Sequence, residues 1–293
     1  MYKFNPIYKL LISLKLISKK NLDIFSKETR DANINVLSDK ISKVIFLEKI
    51  KTNNLYYRFK KKMVHGNKVK VFTKDKTIIT KKTIEDKLRF NNFKKYISKK
   101  DVCDFGCGNG SFLKLINKHS KYACGVELYE EYIRDLKSKK LDIFNDIKMS
   151  KKKFDTIFLF HVLEHLTYPI KELKKLKKFL KKNGSIIIEV PHGNDFLLRN
   201  CDKFRKFSLW SEHLILHTEK SLIKFLKKSG YNKIKVKYFQ RYNYLNHFYW
   251  LNNGKPNGNI ILKNKYDINI DKSYNTFLNK AKMTDTLYCI AKP

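Results

Sequence analysis

Glycine and proline are scarce in this 293-residue chain, at ten and five residues. That excludes collagen-like and low-complexity architectures. Cysteine is sparse too: Cys103, Cys107, Cys124, Cys201 and Cys289 form an odd set with no C-x-x-C pair. Neither a disulfide framework nor a zinc ribbon is supported, and the thiols read as reduced. No apolar run reaches the roughly 18–20 residues needed to span a bilayer. The first residues, MYKFNPIYKLLISLKLISKKN, interrupt their apolar positions with Lys and offer no small-residue cleavage site. They do not read as a signal peptide, so a cytoplasmic location is expected. Acidic residues are outnumbered, 27 against 64 Lys and Arg, for a net charge of +37. Within that excess arginine is the rare cation: Arg30, Arg58, Arg89, Arg134, Arg199, Arg205 and Arg241. Arg is the residue suited to bidentate phosphate and base contacts. A charge carried by scattered Lys therefore reads as solvated surface and not as a dedicated nucleic-acid face, although it attracts anionic substrates. The chain does have apolar content for a packed core, 42% with 14% aromatic.

Along the chain, residues 1–20 fit an amphipathic helix, and INVLSDKISKVIFLEKI (34–50) reads as a β-hairpin. Residues 51–95 are Lys-rich and end in TKKTIEDKLRF, where Thr83 and Asp86 suggest a helix start. From Asp101 strands and helices alternate. DVCDF, YACGVEL, LDIF, FDTIFLF, SIIIEVP, YNKIKVKYFQ and TDTLYCIAKP read as strands. PIKELKKLKKFLKKNG reads as a helix stopped at Gly184, and HTEKSLIKFLKKSG as one capped by Thr218 and stopped by Gly230. The expected fold class is α/β: a Rossmann-like, doubly wound, mostly parallel seven-stranded sheet with an N-terminal α+β extension. The expected domains are an extension over residues 1–95, acting as lid or substrate-recognition region, and residues 96–293 with an insertion at about 240–283.

The segment Asp104-Phe105-Gly106-Cys107-Gly108-Asn109-Gly110 lies between a predicted strand and a predicted helix. Glycines there let the backbone turn tightly and approach a ligand, which in such sheets sits beyond the strands' carboxyl ends. The spacing is G-x-G-x-G, and Ser111 stands where a dinucleotide fingerprint needs its third glycine. Asp104 would repel a pyrophosphate but suits an ammonium group. Glu127, ending the next strand, stands where a carboxylate meets ribose hydroxyls. A nucleoside with a cationic amino-acid end and no phosphate fits that set, and S-adenosylmethionine is such a molecule.

On these residues the chain resembles the class I S-adenosylmethionine-dependent methyltransferases, in a subgroup with a V-L-E-H segment after the fourth strand. The likeness runs from about Asp101 to the C-terminus through HVLEH, LKKNGSIIIEVPH and WSEHLILHTEKSLIKFLKKSGY. The resemblance implies cofactor contacts from Asp104, Phe105, Gly106, Gly108, Gly110, Glu127, Asp146, Ile147 and His161. The tail QRYNYLNHFYWLNNGKPNGN looks like methyltransferases of surface-carbohydrate clusters, which implies polysaccharide biosynthesis and a small-molecule or glycan-precursor acceptor methylated on O or C. The alternative is an RNA or protein methyltransferase that recruits substrate through the basic N-terminal region.

Removal of the acceptor's proton falls most naturally to histidine near neutral pH. His165, His192 and His213, with Glu164, are the candidate catalytic residues. Each has a plainer reading: Glu164 as a helix cap, His192 and His213 as loop residues. H-x-x-E-H is also the spacing of a zinc-peptidase variant, but it emerges here from a buried strand, so no metal is expected. The aromatic run Tyr238 to Trp250 reads either as a sugar cleft or as core.

Overall fold

A computed structural model of the chain describes residues 3–50, 70–72 and 78–293, with side chains over 3–50 and 84–293. Residues 51–69 and 73–77 of the Lys-rich stretch lie outside the described residues. In chain order the elements that matter here begin with α1 (Ile7–Ser13), β1 (Leu22–Ser26), β2 (Val36–Asp39), β3 (Ile45–Leu47) and α2 (Lys81–Ile97). Then come β4 (Asp101–Phe105), α3 (Ser111–Asn117), β5 (Tyr122–Val126), α4 (Glu130–Ser138), β6 (Asp142–Phe144) and β7 (Phe154–Phe160). The remainder comprises α5 (Pro169–Lys178), β8 (Leu180–Pro191), α6 (Phe196–Asn200), α7 (Asp202–Ser208), β9 (Ile215–Leu216), α8 (Glu219–Lys228), β10 (Asn232–Phe239), α9 (Tyr244–Asn253), α10 (Ile268–Lys280) and β11 (Thr286–Lys292).

Seven strands form one mostly parallel sheet in the order β6-β5-β4-β7-β8-β11-β10. Parallel register sets Cys103 opposite Cys124 and Ile157, and Gly125 opposite Ile143. The fold is thus the expected Rossmann-like α/β sheet, with an additional sheet near the N-terminus. The central strands are continuous apolar runs because both of their faces are covered. Val102, Cys103, Ile157, Phe158 and Leu159 are all fully buried. β10 stands at the edge and alternates its exposed Lys residues with half-buried apolar ones, a pattern that keeps an open edge soluble.

By contact the chain divides into two compact units, Met1–Lys51 with His161–Leu173 and Ile188–Ala291, and Thr52–Phe160 with Lys174–Ile187 and Lys292–Pro293. In the first unit β2 and β3 form the expected hairpin, with Val36 opposite Leu47 and Ser38 opposite Ile45. Asp39 closes its turn by accepting from the N–H groups of Ile41 (3.0 Å) and Ser42 (2.7 Å). β1 pairs on one side and β9, from far along the chain, on the other, giving a four-stranded antiparallel sheet. Buried Asn5 donates to the carbonyls of Leu47 (2.8 Å) and Leu214 (3.0 Å), fastening the N-terminal segment to this sheet.

Several local expectations shift. The N-terminal helix covers only Ile7–Ser13. Thr83 lies inside α2, which starts at Lys81, so it is not the cap. α5 ends at Lys178, and Gly184 lies within β8 instead of ending a helix. A Cβ at Gly184 would come within 2.9 Å of the Phe154 carbonyl oxygen, so the close approach of neighbouring backbone, not a helix stop, accounts for this glycine. Thr218 and Gly230 do bracket α8, with Gly230 at φ +83°. The segment between β10 and β11 is helical, built from α9 and α10. Trp250 of α9 is core: it packs with Leu197 and Cys201, flanked by Phe204 and Phe207. Among the described residues no helix is long and apolar enough to cross a membrane.

Candidate functional site

In the second unit the chain leaves β4 and hooks onto β5: the N–H groups of Gly106 (2.8 Å) and Cys107 (3.1 Å) donate to the Val126 carbonyl. Gly106, Gly108 and Gly110 have φ of +81°, +55° and +71°. All three sit in the left-handed region, where a side chain is strained, so the residue type follows from the turn itself. Gly110 is further constrained, since a Cβ there would lie 2.4 Å from Leu136 Cδ2, a fully buried side chain.

Two carboxylates bracket this loop, as the sequence suggested. Asp104 is buried at 3% exposure, ending the strand beneath the turn. Glu127 is half-buried and held by backbone alone: Oε2 accepts from Gly108 N–H (2.7 Å), Oε1 from the N–H groups of Leu128 (2.7 Å) and Tyr129 (2.9 Å). Gly106 and Asn109 are exposed on the outer side of the turn. The turn thus brings together a side-chain-free backbone and two carboxylates, without a phosphate-binding cation in its own sequence. This donor set fits the ribose and ammonium groups of S-adenosylmethionine.

Helix α2 adds a polar contact that the sequence reading missed. Buried Asp86 accepts from Arg89 (3.0 Å) and from the hydroxyl of Ser111, the first residue of α3. Arg89 also lies over the Phe160 ring, 4.9 Å from its centroid. The clue was an acid and an arginine at (i, i+3) on a helix entering β4, and arginine is rare in this chain. Asp146 starts the turn after β6, accepting from Lys148 N–H (3.0 Å), with Lys175 Nζ at 3.6 Å. Ile147 beside it is fully buried, and Phe105 half-buried.

The first unit gathers a second group of polar residues. His161 has φ +56°, unusual for a side-chain-bearing residue. Its N–H donates to the Glu189 carbonyl (2.9 Å). Its ring bridges two carboxylates, with Nδ1 3.2 Å from Glu164 Oε1 and Nε2 3.0 Å from Glu189 Oε1. Two carboxylate acceptors facing the two ring nitrogens favour the doubly protonated ring. Burial alone would lower its pKa; the hydrogen bonds to Glu164 and Glu189 outweigh that and raise it. Burial would likewise raise Glu164, but the His161 bond and the surrounding imidazoles hold it at about 2. Arg241 NH1 lies 3.2 Å from His161 Nε2. Arg241 is held in turn by Asp285, which accepts from its backbone N–H (3.1 Å) and Nε (3.4 Å).

Next to this bridge His165 Nδ1 donates to the Glu212 carbonyl (2.8 Å). In its neutral form the ring then carries its lone pair on Nε2. His213 packs edge-on against His165 at 4.9 Å. Burial, and then the neighbouring His165, push its pKa down to about 3, so it is neutral. Glu164, His165 and His213 each place a metal-capable donor atom within 4.8 Å of the other two. Glu164 sits fully buried in a short 3₁₀ turn, Leu163–His165, and its carboxylate faces imidazoles instead of capping a helix. His192 lies apart from these three in its bonding. It is 3% exposed, donates from Nδ1 to Thr284 O (2.9 Å), and burial lowers its pKa to about 4.

Glu189, Arg241 and Asp285 were missed by sequence reasoning. Glu189 had a visible signal, a lone acid inside the apolar run SIIIEVP. Arg241 had a weaker one, being one of few arginines. Asp285 had none.

Comparison with known proteins places these features in a family. A family model described as a methyltransferase domain matches residues 79–236, more than half of the chain. A tRNA U34 carboxymethyltransferase of Campylobacter fetus is 30% identical over 136 residues, 41% of this chain and 48% of that one. Its counterpart in Nautilia profundicola is 28% identical over 164 residues, 50% of this chain and 53% of that one. The chain therefore spans about half the length of these curated relatives. A solved S-adenosylmethionine-dependent methyltransferase of Archaeoglobus fulgidus superposes over 72% of this chain and 94% of its own, with TM-score 0.52 and 20% identity. These relatives give the expected glycan acceptor and polysaccharide role no support.

Proposed function

This chain belongs to the methyltransferase-domain family and is an S-adenosylmethionine-dependent methyltransferase, and from that premise we propose that its acceptor is an RNA. The observation that carries the reading is the acceptor named for the curated relatives, a tRNA. The net charge of +37 supports it, because lysines neutralise phosphates whatever the base sequence. The scarcity of Arg then argues for backbone attraction more than base-edge readout.

In this reading the second unit holds the cofactor, which supplies an electrophilic methyl group on a sulfonium. Asp104 meets the ammonium end, Glu127 the ribose hydroxyls, and the left-handed glycines keep the backbone clear for both. The loop's rigidity reduces the ordering cost of binding. Of the residues expected to manage the acceptor, Glu164, His165 and His213 lie together and His192 is committed to a backbone carbonyl. The acceptor's chemistry is therefore assigned to that trio, with His161, Glu189, Arg241 and Asp285 as the charged frame that holds it.

The test is transfer of a tritiated methyl group from S-adenosylmethionine by the full chain to total RNA and, separately, to nucleotide-sugar pools. Ribonuclease-sensitive label that declines as salt rises is the expected result. Label confined to small molecules would return the glycan reading to first place. Asp104→Ala should abolish cofactor binding by calorimetry.

A further inference from the structure

We propose that Glu164, His165 and His213 form a binding site for a divalent transition-metal ion of the zinc class. Three observations converge on it. The first is the donor set: two imidazoles and a carboxylate with donor atoms within 4.8 Å of one another. A tetrahedral zinc site with bonds near 2.1 Å sets its ligands roughly 3.4 Å apart, so closing the trio from within 4.8 Å shortens its separations by at most about 1.4 Å. The second is the pair of buried atoms that the protein leaves unanswered. Among the described residues Glu164 Oε2 and His213 Nδ1 are buried with no hydrogen-bond partner, and Glu164 is fully buried. A buried polar atom without a partner is costly. Here both belong to the same three-residue group, and a cation would answer both.

The third observation is the outer support. His165 donates Nδ1–H to the Glu212 carbonyl, which turns Nε2 toward a metal, and Glu164 Oε1 is held by His161. Metal-ligating histidines are oriented by that kind of outer bond. His213 carries no bond at Nδ1 and packs against His165, so it is the ligand with freedom to close the site. Two nitrogens and one oxygen favour zinc, iron, nickel or cobalt over magnesium or calcium, which prefer oxygen. Three protein ligands leave a fourth position for water or a ligand oxygen. The inference reverses the expectation drawn from the H-x-x-E-H spacing alone. That spacing supplied two ligands, and the third, His213, comes from a distant loop.

The experiment uses tag-free, full-length protein stripped with a chelator and dialysed against Zn²⁺ or Co²⁺. Metal content is read by mass spectrometry, and Co²⁺ geometry by its visible absorption. One equivalent per chain, with the intense absorption of four-coordinate Co²⁺, is expected. His213→Gln should weaken binding by about 100-fold or more, since even outer-shell losses cost 10–100-fold. His119→Gln, at the end of α3, should bind as the wild type does. Glu164→Gln should also lose the metal, and because it removes a buried charge its folding is checked by circular dichroism; if it unfolds, His213→Gln decides. Metal content at background in the wild type, or equal metal content in His213→Gln, would overturn the proposal. Cofactor affinity measured on the same samples reports the methyltransferase reading separately, so one can fail without the other.

Discussion

Glu127 and Glu164 each follow a strand of the large sheet, yet their surroundings differ in kind. Glu127 is half-exposed and takes its hydrogen bonds from three backbone N–H groups, two in its own loop and one in the glycine turn after β4. Glu164 is fully buried, accepts from a histidine, and has its other oxygen unpartnered. Backbone donors do not titrate and are fixed once the turn forms. Imidazole donors titrate, even when, like His161, they lie one turn away on the same segment. The first arrangement suits a stable cradle for a nucleoside; the second concentrates charge where proton or metal chemistry is wanted, at a cost in pH sensitivity.

The largest effect should come from Glu164→Gln. Removing one member of this buried group leaves His161 with only one of its two carboxylate partners, worth about 3–5 kcal/mol in urea unfolding at neutral pH. Because Glu164 is held at about 2, below its ordinary 4.5, its contribution is present above 4.5 and lost as pH falls toward 2. The variant should lack that part of the acid limb. If its acid limb matches the wild type, the contrast between the two carboxylates is wrong. Gly110→Ala tests the other side: a left-handed φ and the collision with Leu136 should cost about 2–3 kcal/mol and weaken cofactor binding. An unchanged melting temperature would show the turn to be adaptable.

Asp195 sharpens the comparison with an opposite sign. It caps α6 by accepting from Leu198 N–H at 2.9 Å, and burial, then Asp285, raise it to about 7. Its protonated form is the one the fold prefers, so its contribution is present below 3.8 and lost as pH rises through 7. Asp195→Asn keeps a capping side chain and should stabilise the protein at pH 8 by on the order of 2 kcal/mol, with little difference at pH 3.5. Equal melting curves at both pH values would show Asp195 to be relaxed by its surroundings. The smallest effect is Glu127→Gln: folding stability should hold, while cofactor affinity falls about tenfold, roughly 1.4 kcal/mol by calorimetry. Loss of folding instead would make Glu127 a structural cap for the glycine turn.

Legibility followed sequence distance. The strand, the three glycines and both loop carboxylates lie between Asp101 and Glu127, and the left-handed turn among them follows from its own glycines; that is why the strand–turn–helix was legible. The helix ends were less so. Gly184 resembled a helix stop because a glycine after a Lys-rich helical run is the usual signature, but neighbouring carbonyls fill the space a side chain would need. The Asp86–Ser111 contact was missed because nothing local to α2 points to Ser111.

From residues alone came the α/β class, the glycine turn and the family resemblance, since a parallel sheet writes itself as alternating apolar runs and helices and a left-handed turn demands glycine. The fold alone decided how the histidines divide: His161 clamped between Glu164 and Glu189, His192 bound to Thr284, His165 and His213 brought edge to face. Except for Glu164, three residues from His161, those partners come from segments about 30 to 90 residues apart, and their meeting depends on strand order and loop path, which no local spacing encodes.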